Sequence, residues 1–311
     1  MSSQAAERIQ TYSRTEQQLY EQCFSAETLA ETGLSPGDFG RLATAHEAVI
    51  QELEPLRPDD GKKTWLPFGN FLERFAIAQQ RGSDIGIIRK NRIFDPDNPD
   101  KLESDGKYFS HVHPEAKEVW GGNLERAPKE FRDFINMAEE FMHLSIAAQR
   151  RIIEELSLNP EYATLLDDMY PMSGKRNFFL RVVTYDPYDP NVPLSDKYGN
   201  ARGHYDISMA TWQLWANDNG FAGGKTDIDE DMTTIDQVEG RAPFFLGLGW
   251  RERYPESTLI PLWHGVADFP NPEDRQVESR TAVILFSHLA YINTIPTKEE
   301  AHTPINHLPR E

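Results

Sequence analysis

Short apolar runs separated by turn residues fill the C-terminal half of this 311-residue chain. Gly, Pro, Asn and Asp cluster between the runs, as they do at residues 186–190. The predicted strands lie at residues 178–185, 204–214, 244–248, 259–266 and 281–286. Many short strands with such turns predict a β-sandwich or barrel, and eight strands in two sheets form a jelly roll.

Two amphipathic helices are predicted before these strands. Ser35 followed by Pro36 is typical of a helix start, and apolar residues recur at helical spacing from there to Pro55. A second apolar stripe extends from near Pro128 to Leu156, which is the pattern of a long helix that packs against a sheet. A shorter helix is predicted at residues 72–80. The predicted fold class is mainly β with α: a double-stranded β-helix core of the jelly-roll, cupin-like type, braced by N-terminal helices.

A single domain covers residues 1–311 in this interpretation. Residues 1–160 form a mostly helical N-terminal part and residues 176–292 form the jelly-roll core. Residues 293–311 are a polar C-terminal tail that either packs as a lid or frays. A chain of this length can bury one large β core with added helices.

Charge and composition argue against several classes of function. The formal net charge of −18 disfavours a nucleic-acid partner, which requires a basic surface, and docking on anionic membranes. The sequence has no run of 18 apolar residues and no signal-peptide core at its N-terminus, so we expect a cytoplasmic protein. Cys23 is the only cysteine, which excludes an internal disulfide and zinc sites built from several cysteines.

His204 and Asp206 carry the strongest indication of chemistry. Alternate side chains of an extended segment point to one face, so this pair supplies two ligands of a metal site. A second histidine would complete the two-histidine, one-carboxylate triad that suits non-haem Fe(II). His264, sixty residues after His204, fits best, and His288 is its competitor. Less favourable candidates precede the strands or lie in the tail: His111, His113, His302 and His307.

Arg280 opens the apolar strand at residues 281–286 and directs a guanidinium toward one sheet face. Its fixed donors match a carboxylate bidentately, so an arginine beside a metal in a β core indicates an organic-acid cosubstrate. Arg275 is nearer to His264 in sequence, but the residues after Arg275 do not form a core strand.

The order His204-x-Asp206, then His264, then Arg280 resembles that of the iron(II)/2-oxoglutarate-dependent dioxygenases. The closer similarity is to the isopenicillin-N-synthase-like branch of that superfamily. Residues 204–211 are similar to its HTDxGxxT segment, and residues 263–266 to its HGV segment. The resemblance covers about residues 176–290.

Two departures from the family pattern accompany this resemblance. The usual RxS motif is Arg280-Thr281-Ala282, so the serine hydroxyl that often helps to hold the cosubstrate carboxylate is missing. The separation of 16 residues between His264 and Arg280 is longer than usual, and residues 268–274 have the composition of an inserted loop.

The resemblance implies that His204, Asp206 and His264 hold Fe(II) beside 2-oxoglutarate and O₂. Arg280 would bind the far carboxylate of 2-oxoglutarate with help from Tyr185. Oxidation of a C–H bond would then accompany the release of succinate and CO₂. The related halogenases have a small residue at the position of Asp206, so its presence favours hydroxylation, desaturation or ring closure over halogenation.

Residues that contact the organic substrate are predicted on the same strands. Arg181 shares a strand face with Tyr185 and would bind a substrate carboxylate or the cosubstrate; a structural salt bridge is the alternative. Trp212 and Phe286 are candidate cavity walls or plain core residues. The expected partner is a small molecule, such as an amino acid or a natural-product intermediate. Its identity and the oligomeric state stay open.

Three other functions are compatible with the same residues. One is an iron oxidase or cyclase that does not use 2-oxoglutarate, which Arg280 disfavours. Another is a cupin-like metal-dependent hydrolase or isomerase that works without O₂. The third is a non-catalytic barrel that binds a partner.

Overall fold

The computed structural model of the protein describes residues 24–53, 64–65, 86–93, 102–112, 129–170, 178–185, 204–217, 220–224, 232–234, 241–257, 259–266 and 280–288. Several sequence predictions lie outside these residues: the helix at 72–80, the inserted loop at 268–274, the tail at 293–311, and Cys23, His113, Arg275, His302 and His307.

Both predicted long helices are confirmed. Helix α1 spans Pro36–Leu53 and helix α2 spans Lys129–Leu156. The start of α1 is closed by reciprocal hydrogen bonds, because the Ser35 N–H donates to Asp38 Oδ2 (2.7 Å) and the Asp38 N–H to Ser35 Oγ (3.3 Å). The two helices pack together through an edge-to-face contact of Phe39 and Phe141, whose ring centroids are 5.7 Å apart.

Eleven strands form in the described residues, and two shorter helices, α3 (Leu165–Met169) and α4 (Leu248–Arg253), lie between them. The strands are β1 (Phe24–Thr28), β2 (Thr64–Trp65), β3 (Gly86–Ile93), β4 (Leu102–Val112), β5 (Phe178–Tyr185), β6 (Ala210–Ala216), β7 (Phe221–Gly224), β8 (Met232–Thr234), β9 (Arg241–Leu246), β10 (Trp263–Val266) and β11 (Arg280–Ser287).

These strands form two antiparallel sheets. The larger sheet has eight strands in the order β1-β9-β6-β11-β5-β4-β3-β2, and the smaller has three in the order β10-β7-β8. An isolated antiparallel bridge joins His204 to His264, which lies in β10. The chain therefore combines α-helices with antiparallel β-sheets.

The central strands of the larger sheet are covered on both faces. One face packs with α1 and α2 into the main hydrophobic core, to which β5, β6 and β11 contribute Leu180, Trp212 and Val283. The other face of the same strands lines a cavity. Successive residues of a strand point to opposite faces, so each strand supplies the core and the cavity in alternation.

The structure adds strands to those that the sequence predicts and corrects the bounds of three predicted strands. Strands β1 to β4 lie within residues 1–160, where the sequence predicts helices and no strand. The strand predicted at 244–248 ends at Leu246, because Leu248 begins α4. The strands predicted at 204–214 and 259–266 are shorter, since β6 begins at Ala210 and β10 at Trp263.

A buried histidine connects α1 to the larger sheet. His46 is fully buried; its Nδ1 lies 2.9 Å from Thr184 Oγ1 on β5, and its Nε2 lies 2.8 Å from Ser110 Oγ on β4. Burial lowers the pKa of His46 to about 3, because a charged imidazole loses its hydration there. The ring is therefore neutral at pH 7 and bridges two hydroxyl groups.

This neutral histidine predicts acid-sensitive stability. Because the pKa of His46 is lower in the folded state than in the unfolded state, the unfolded state binds the proton first as the pH falls below about 6.5. We expect the metal-free protein to lose about 2 kcal/mol of unfolding free energy through His46 between pH 7.5 and pH 5. Urea denaturation at the two pH values measures this loss.

His46→Gln is the informative variant, since it keeps a donor and an acceptor but cannot titrate. Its stability should depend less on pH by the amount given above. His143→Gln on the exposed face of α2 is the control and should keep the wild-type dependence. An unchanged dependence in His46→Gln would contradict the prediction.

Candidate metal centre

The structure brings His204, Asp206 and His264 together. One ligand atom of each side chain lies within 4.8 Å of those of the other two. Nε2 of His204 is 3.6 Å from Oδ1 of Asp206, and Nε2 of His264 is 3.5 Å from Oδ2 of Asp206. Asp206 and His264 are buried, whereas the His204 side chain is 24% exposed. The three ligand atoms thus form a compact group that is exposed to solvent only on the side of His204.

A backbone bridge sets the distance between the two histidines. The His204 N–H donates to the His264 carbonyl, the His264 N–H donates to the His204 carbonyl, and both distances are 3.0 Å. Directly paired residues of antiparallel segments have neighbouring side chains. Two imidazoles that are sixty residues apart in sequence therefore lie with ring centroids 4.5 Å apart.

The segment that carries Asp206 is fastened through its main chain to the start of α4. The Leu248 N–H donates to the Asp206 carbonyl (2.7 Å), and the Gly249 N–H donates to the Ser208 carbonyl (3.1 Å). Gly247 allows this approach, because a Cβ on it would lie 2.2 Å from the Ser208 oxygen and 2.5 Å from the Asp206 oxygen. Only a residue without a side chain fits there.

Hydrogen bonds also fix the ligand side chains. The Thr211 hydroxyl donates to Oδ2 of Asp206 at 2.6 Å, and Ser208 Oγ lies 2.8 Å from that hydroxyl. Nδ1 of His264 lies 3.0 Å from the carbonyl oxygen of Leu262. A carbonyl can only accept, so Nδ1 carries the hydrogen and Nε2 presents its lone pair to the centre.

The protonation states suit a cation. Burial raises the pKa of Asp206, but the neighbouring histidines and the Thr211 hydrogen bond outweigh burial and hold that pKa below its ordinary value. Burial lowers the pKa of His264 to about 4. At neutral pH the site therefore presents a carboxylate and a neutral imidazole, the forms that bind a metal without first releasing a proton.

The donor set fits Fe(II). Two imidazole nitrogens and one carboxylate oxygen on one side of a centre make the facial triad of non-haem iron sites. Nε2 of each histidine lies within 3.6 Å of one of the two carboxylate oxygens of Asp206, so the three side chains surround one small volume.

The triad opens into a cavity of about 560 Å³, counting its open mouth. Arg280 and Tyr185 are paired across β11 and β5, and the Arg280 guanidinium lies 5.3 Å from the Tyr185 ring centroid. Arg181 lies four residues before Tyr185, roughly 13 Å along the strand, and its guanidinium lies 4.5 Å from the Phe286 ring centroid. The cavity thus has two cationic groups, which lie at different positions along the paired strands β5 and β11.

Four of the five predicted ligand-contacting residues line this cavity: Tyr185, Arg181, Arg280 and Phe286. Trp212 does not. It is fully buried in the main core and packs edge-to-face on Phe244, because strand alternation directs Thr211 and Gln213 into the cavity and Trp212 to the other face.

The competitor His288 lies away from the triad and stacks on Phe179, with ring centroids 5.3 Å apart. His111 lies on β4, and its side chain is outside the described part of the structure.

Two polar cavity residues were not predicted as site residues. Thr211 binds Asp206, and Gln213 lies two positions further along β6. The signal was a Thr-x-Gln alternation inside an otherwise apolar strand. The alternation alone does not say which face of a doubly covered strand holds the site.

Sequence comparisons give little information about the chain. No family model matches it. A component of eukaryotic translation initiation factor 3 from Aspergillus niger is 26% identical over 98 residues, which are 28% of this chain and 13% of that protein. The corresponding protein of Aspergillus fumigatus matches with the same identity and length. The chain thus matches about an eighth of these curated relatives.

Several solved structures resemble this chain over most of its length. A full-length Neurospora crassa protein in complex with alpha-KG has a TM-score of 0.60 at 15% identity, over 89% of this chain and 81% of that one. A putative oxygenase from Shewanella oneidensis has a TM-score of 0.59 at 15% identity, over 93% and 88%. JOX2 in complex with 2OG, Fe and JA has a TM-score of 0.59 at 13% identity, over 94% and 77%.

The chain therefore has the fold of the 2-oxoglutarate–Fe(II) oxygenases and an intact His-x-Asp…His triad. The resemblance to this superfamily is confirmed at the level of fold and triad, whereas the isopenicillin-N-synthase-like branch stays a prediction. In the part of the chain that the structure describes, no helix is long and apolar enough to cross a membrane.

Gly247→Ala is expected to disrupt the centre. The added Cβ would overlap two carbonyl oxygens, so the segment carrying Asp206 must shift away from Gly247 and out of its present position beside the two histidines. We expect Fe(II) affinity to fall by roughly tenfold or more in an anaerobic titration. Gly40→Ala on α1, where a Cβ meets no atom within 4 Å, is the control and should bind Fe(II) like the wild type. Equal affinities of the two variants would contradict this role.

Thr211→Val tests the hydrogen bond to Asp206. Removing a group that orients a metal ligand typically costs about 10- to 100-fold in metal affinity, and we expect a loss in this range. Thr211→Ser keeps the hydroxyl and should retain most of the affinity. If Thr211→Val binds Fe(II) like the wild type while Thr211→Ser loses affinity, packing of the Thr211 methyl group, and not its hydrogen bond, supports the site.

Proposed function

We propose that the protein is a non-haem Fe(II)- and 2-oxoglutarate-dependent oxygenase that oxidises an unactivated C–H bond of a small molecule and releases succinate and CO₂. Hydroxylation is the simplest outcome. The observation that carries the proposal is the presence of the triad and Arg280 in the walls of one cavity. A metal centre alone would fit many reactions. The Arg280 guanidinium in the same cavity favours a cosubstrate that carries a carboxylate.

We propose that the two sheets form a double-stranded β-helix within a single domain. Strands β9, β6, β11 and β5 are consecutive in the larger sheet. Strands β10, β7 and β8, with the bridge at His204, make a second group of four segments. Residues from both groups line the same cavity, as two facing layers of a jelly roll would.

His204, Asp206 and His264 would hold the iron. When bound, Fe(II) with O₂ and 2-oxoglutarate supplies the oxidising chemistry. The neighbouring histidines and the Thr211 hydrogen bond keep Asp206 ionised, and the Leu262 carbonyl fixes the tautomer of His264. Since Asp206 occupies a ligand position, the site favours hydroxylation, desaturation or ring closure over halogenation.

Arg280 and Tyr185 would bind the far carboxylate of 2-oxoglutarate. Arg280 is only partly buried, whereas Tyr185 is 9% exposed and shares a small apolar cluster with Val183 and Ile284. The guanidinium over the phenol ring is therefore held in orientation by a packed surface. This pair at one cavity wall favours a 2-oxoglutarate-dependent enzyme over an oxidase that takes all its electrons from the substrate.

The organic substrate would be a small molecule that contacts Arg181 and Phe286. The structural neighbours support this size class, since the Neurospora crassa protein was also solved with thymine, JOX2 with JA, and DAO1 of Arabidopsis thaliana is described as a dioxygenase for auxin oxidation. Phe221, Phe245 and Phe286 give the cavity an apolar wall. An amino acid or a natural-product intermediate with an apolar body fits these walls.

Arg280→Leu tests the cosubstrate. We expect the wild type to form a charge-transfer absorption band on anaerobic addition of Fe(II) and 2-oxoglutarate, and to release succinate slowly in air. Arg280→Leu should need roughly tenfold or more 2-oxoglutarate for half-saturation, because a charge-assisted bidentate pair is lost. Arg280→Lys keeps the charge and should fall between the two.

His204→Ala is the matched control and should abolish tight Fe(II) binding. Oxidation of the organic substrate at full rate without 2-oxoglutarate would contradict the proposal and favour an oxidase that needs no cosubstrate. Activity with Zn(II) in the absence of O₂ would favour a metal-dependent hydrolase or isomerase.

A further inference from the structure

Gln213 is a polar residue that the proposed chemistry leaves without a role. It lies on β6, is only 4% exposed and lines the cavity beside the triad. Its buried amide nitrogen makes no hydrogen bond with any described residue. A buried donor without an acceptor destabilises the folded state, so its presence in a cavity wall requires a reason.

A second buried glutamine shows the contrast. Gln149 on α2 also has an amide nitrogen without a described partner, but its carbonyl oxygen accepts from Ser287 Oγ (2.6 Å) and from the Tyr170 hydroxyl (3.4 Å). Gln149 is not among the residues that line the cavity. It therefore joins α2 to β11, whereas Gln213 presents its amide to a space that a ligand can enter.

Strand register places Gln213 in one row with Arg181. On β11, Ile284 is paired with Arg181 of β5 on one side and with Gln213 of β6 on the other. Two strand spacings of about 4.8 Å put the Cα atoms of Arg181 and Gln213 about 10 Å apart, with both side chains on the cavity face. Long side chains at that distance can meet over Ile284.

A strand irregularity maintains this alignment. The register of β6 against β11 shifts between Val283 and Ile284, so that Trp215 faces Val283 and Gln213 faces Ile284. The extra residue, Leu214, is buried in the main core. Bulges often redirect side chains near functional sites. Here the bulge keeps Gln213 opposite Ile284 and therefore in the same row as Arg181.

We infer that Gln213 and Arg181 together bind a carboxylate of the organic substrate, with Ile284 beneath it. This inference rests on the proposed function and narrows its substrate class to organic acids with an apolar body. An amide NH₂ and a guanidinium are both donors, so a carboxylate, which accepts only, satisfies both. A cationic group in the same place would be repelled by Arg181.

The position of the row separates this carboxylate from that of the cosubstrate. Arg280 is paired with Tyr185, four residues along both strands from the pair of Ile284 with Arg181, or roughly 13 Å. A keto-acid as short as 2-oxoglutarate, bound at Arg280, therefore leaves the row of Arg181 and Gln213 to a second acid. The Arg181 guanidinium also lies over the Phe286 ring, 4.5 Å from its centroid, which holds it beside an apolar wall of the cavity.

The test measures binding to the metal-free, full-length protein by ligand-observed NMR. The probes are a panel of aryl and alkyl monocarboxylates, each paired with its neutral methyl ester, together with 2-oxoglutarate. We expect the wild type to prefer acids over their esters. Gln213→Leu should weaken acid binding by roughly tenfold or more, since a hydrogen bond to a charged group is lost. Gln213→Glu should weaken it further through charge repulsion.

Thermal unfolding without ligand gives a second, independent readout. Gln213→Leu removes an unpaired buried donor at nearly constant volume, so its midpoint should rise relative to the wild type. Gln149→Leu is the matched control: it breaks the hydrogen bond from Ser287 and should lower the midpoint without altering the preference for acids.

Three results would overturn the inference. One is the absence of a wild-type preference for acids over esters across the panel. Another is a Gln213→Leu variant with a lower midpoint and unchanged acid binding, which indicates a structural role. The third is a Gln213→Leu variant with weakened 2-oxoglutarate binding and unchanged monocarboxylate binding, which assigns Gln213 to the cosubstrate. Failure of the proposed oxygenase function itself appears separately, as missing succinate release with the acid preference intact.

Discussion

Two main-chain hydrogen bonds between His204 and His264 are the interaction on which the site depends. They tie a short segment outside the named strands to β10, and both partners are metal-ligand candidates. The bond lengths are those of an ordinary antiparallel pair, so the two imidazoles are brought together by regular backbone geometry, not by a special side-chain contact. Asp206 then needs only the extended conformation to reach the same point. The grouping of the three candidate ligands is therefore a consequence of strand pairing.

The larger sheet divides its side chains between two kinds of surroundings. On one face Leu180, Trp212 and Val283 pack against the helices, and on the other the cavity takes in charged and polar groups. The cavity wall is cationic in a chain whose formal net charge is −18. The roles proposed for Arg280 and Arg181 give the cavity room for two different acids at once.

Much of the centre could be predicted because its signals are local. His204 and Asp206 are two residues apart, and Arg280 directly precedes an apolar run, so alternation alone orients them. Gln213 was missed, and Trp212 was left between cavity wall and core, for one reason: β6 is buried on both faces, and an apolar pattern does not tell which face meets the helices. Strands β1 to β4 were missed because pairing across the sheet, and not local propensity, defines them.

The fastening of the Asp206 segment to α4 has a consequence for how this centre can change. Its anchors are the carbonyl oxygens of Asp206, Ser208 and Met209, which accept from main-chain N–H groups of residues 247–249. None of these bonds depends on the identity of a side chain at position 206. The carboxylate can therefore be exchanged for a smaller group while the loop keeps its path, leaving an empty coordination position beside two intact imidazoles. The chemistry of such a centre is adjustable at a single codon, whereas Gly247, which makes the fastening possible, is not.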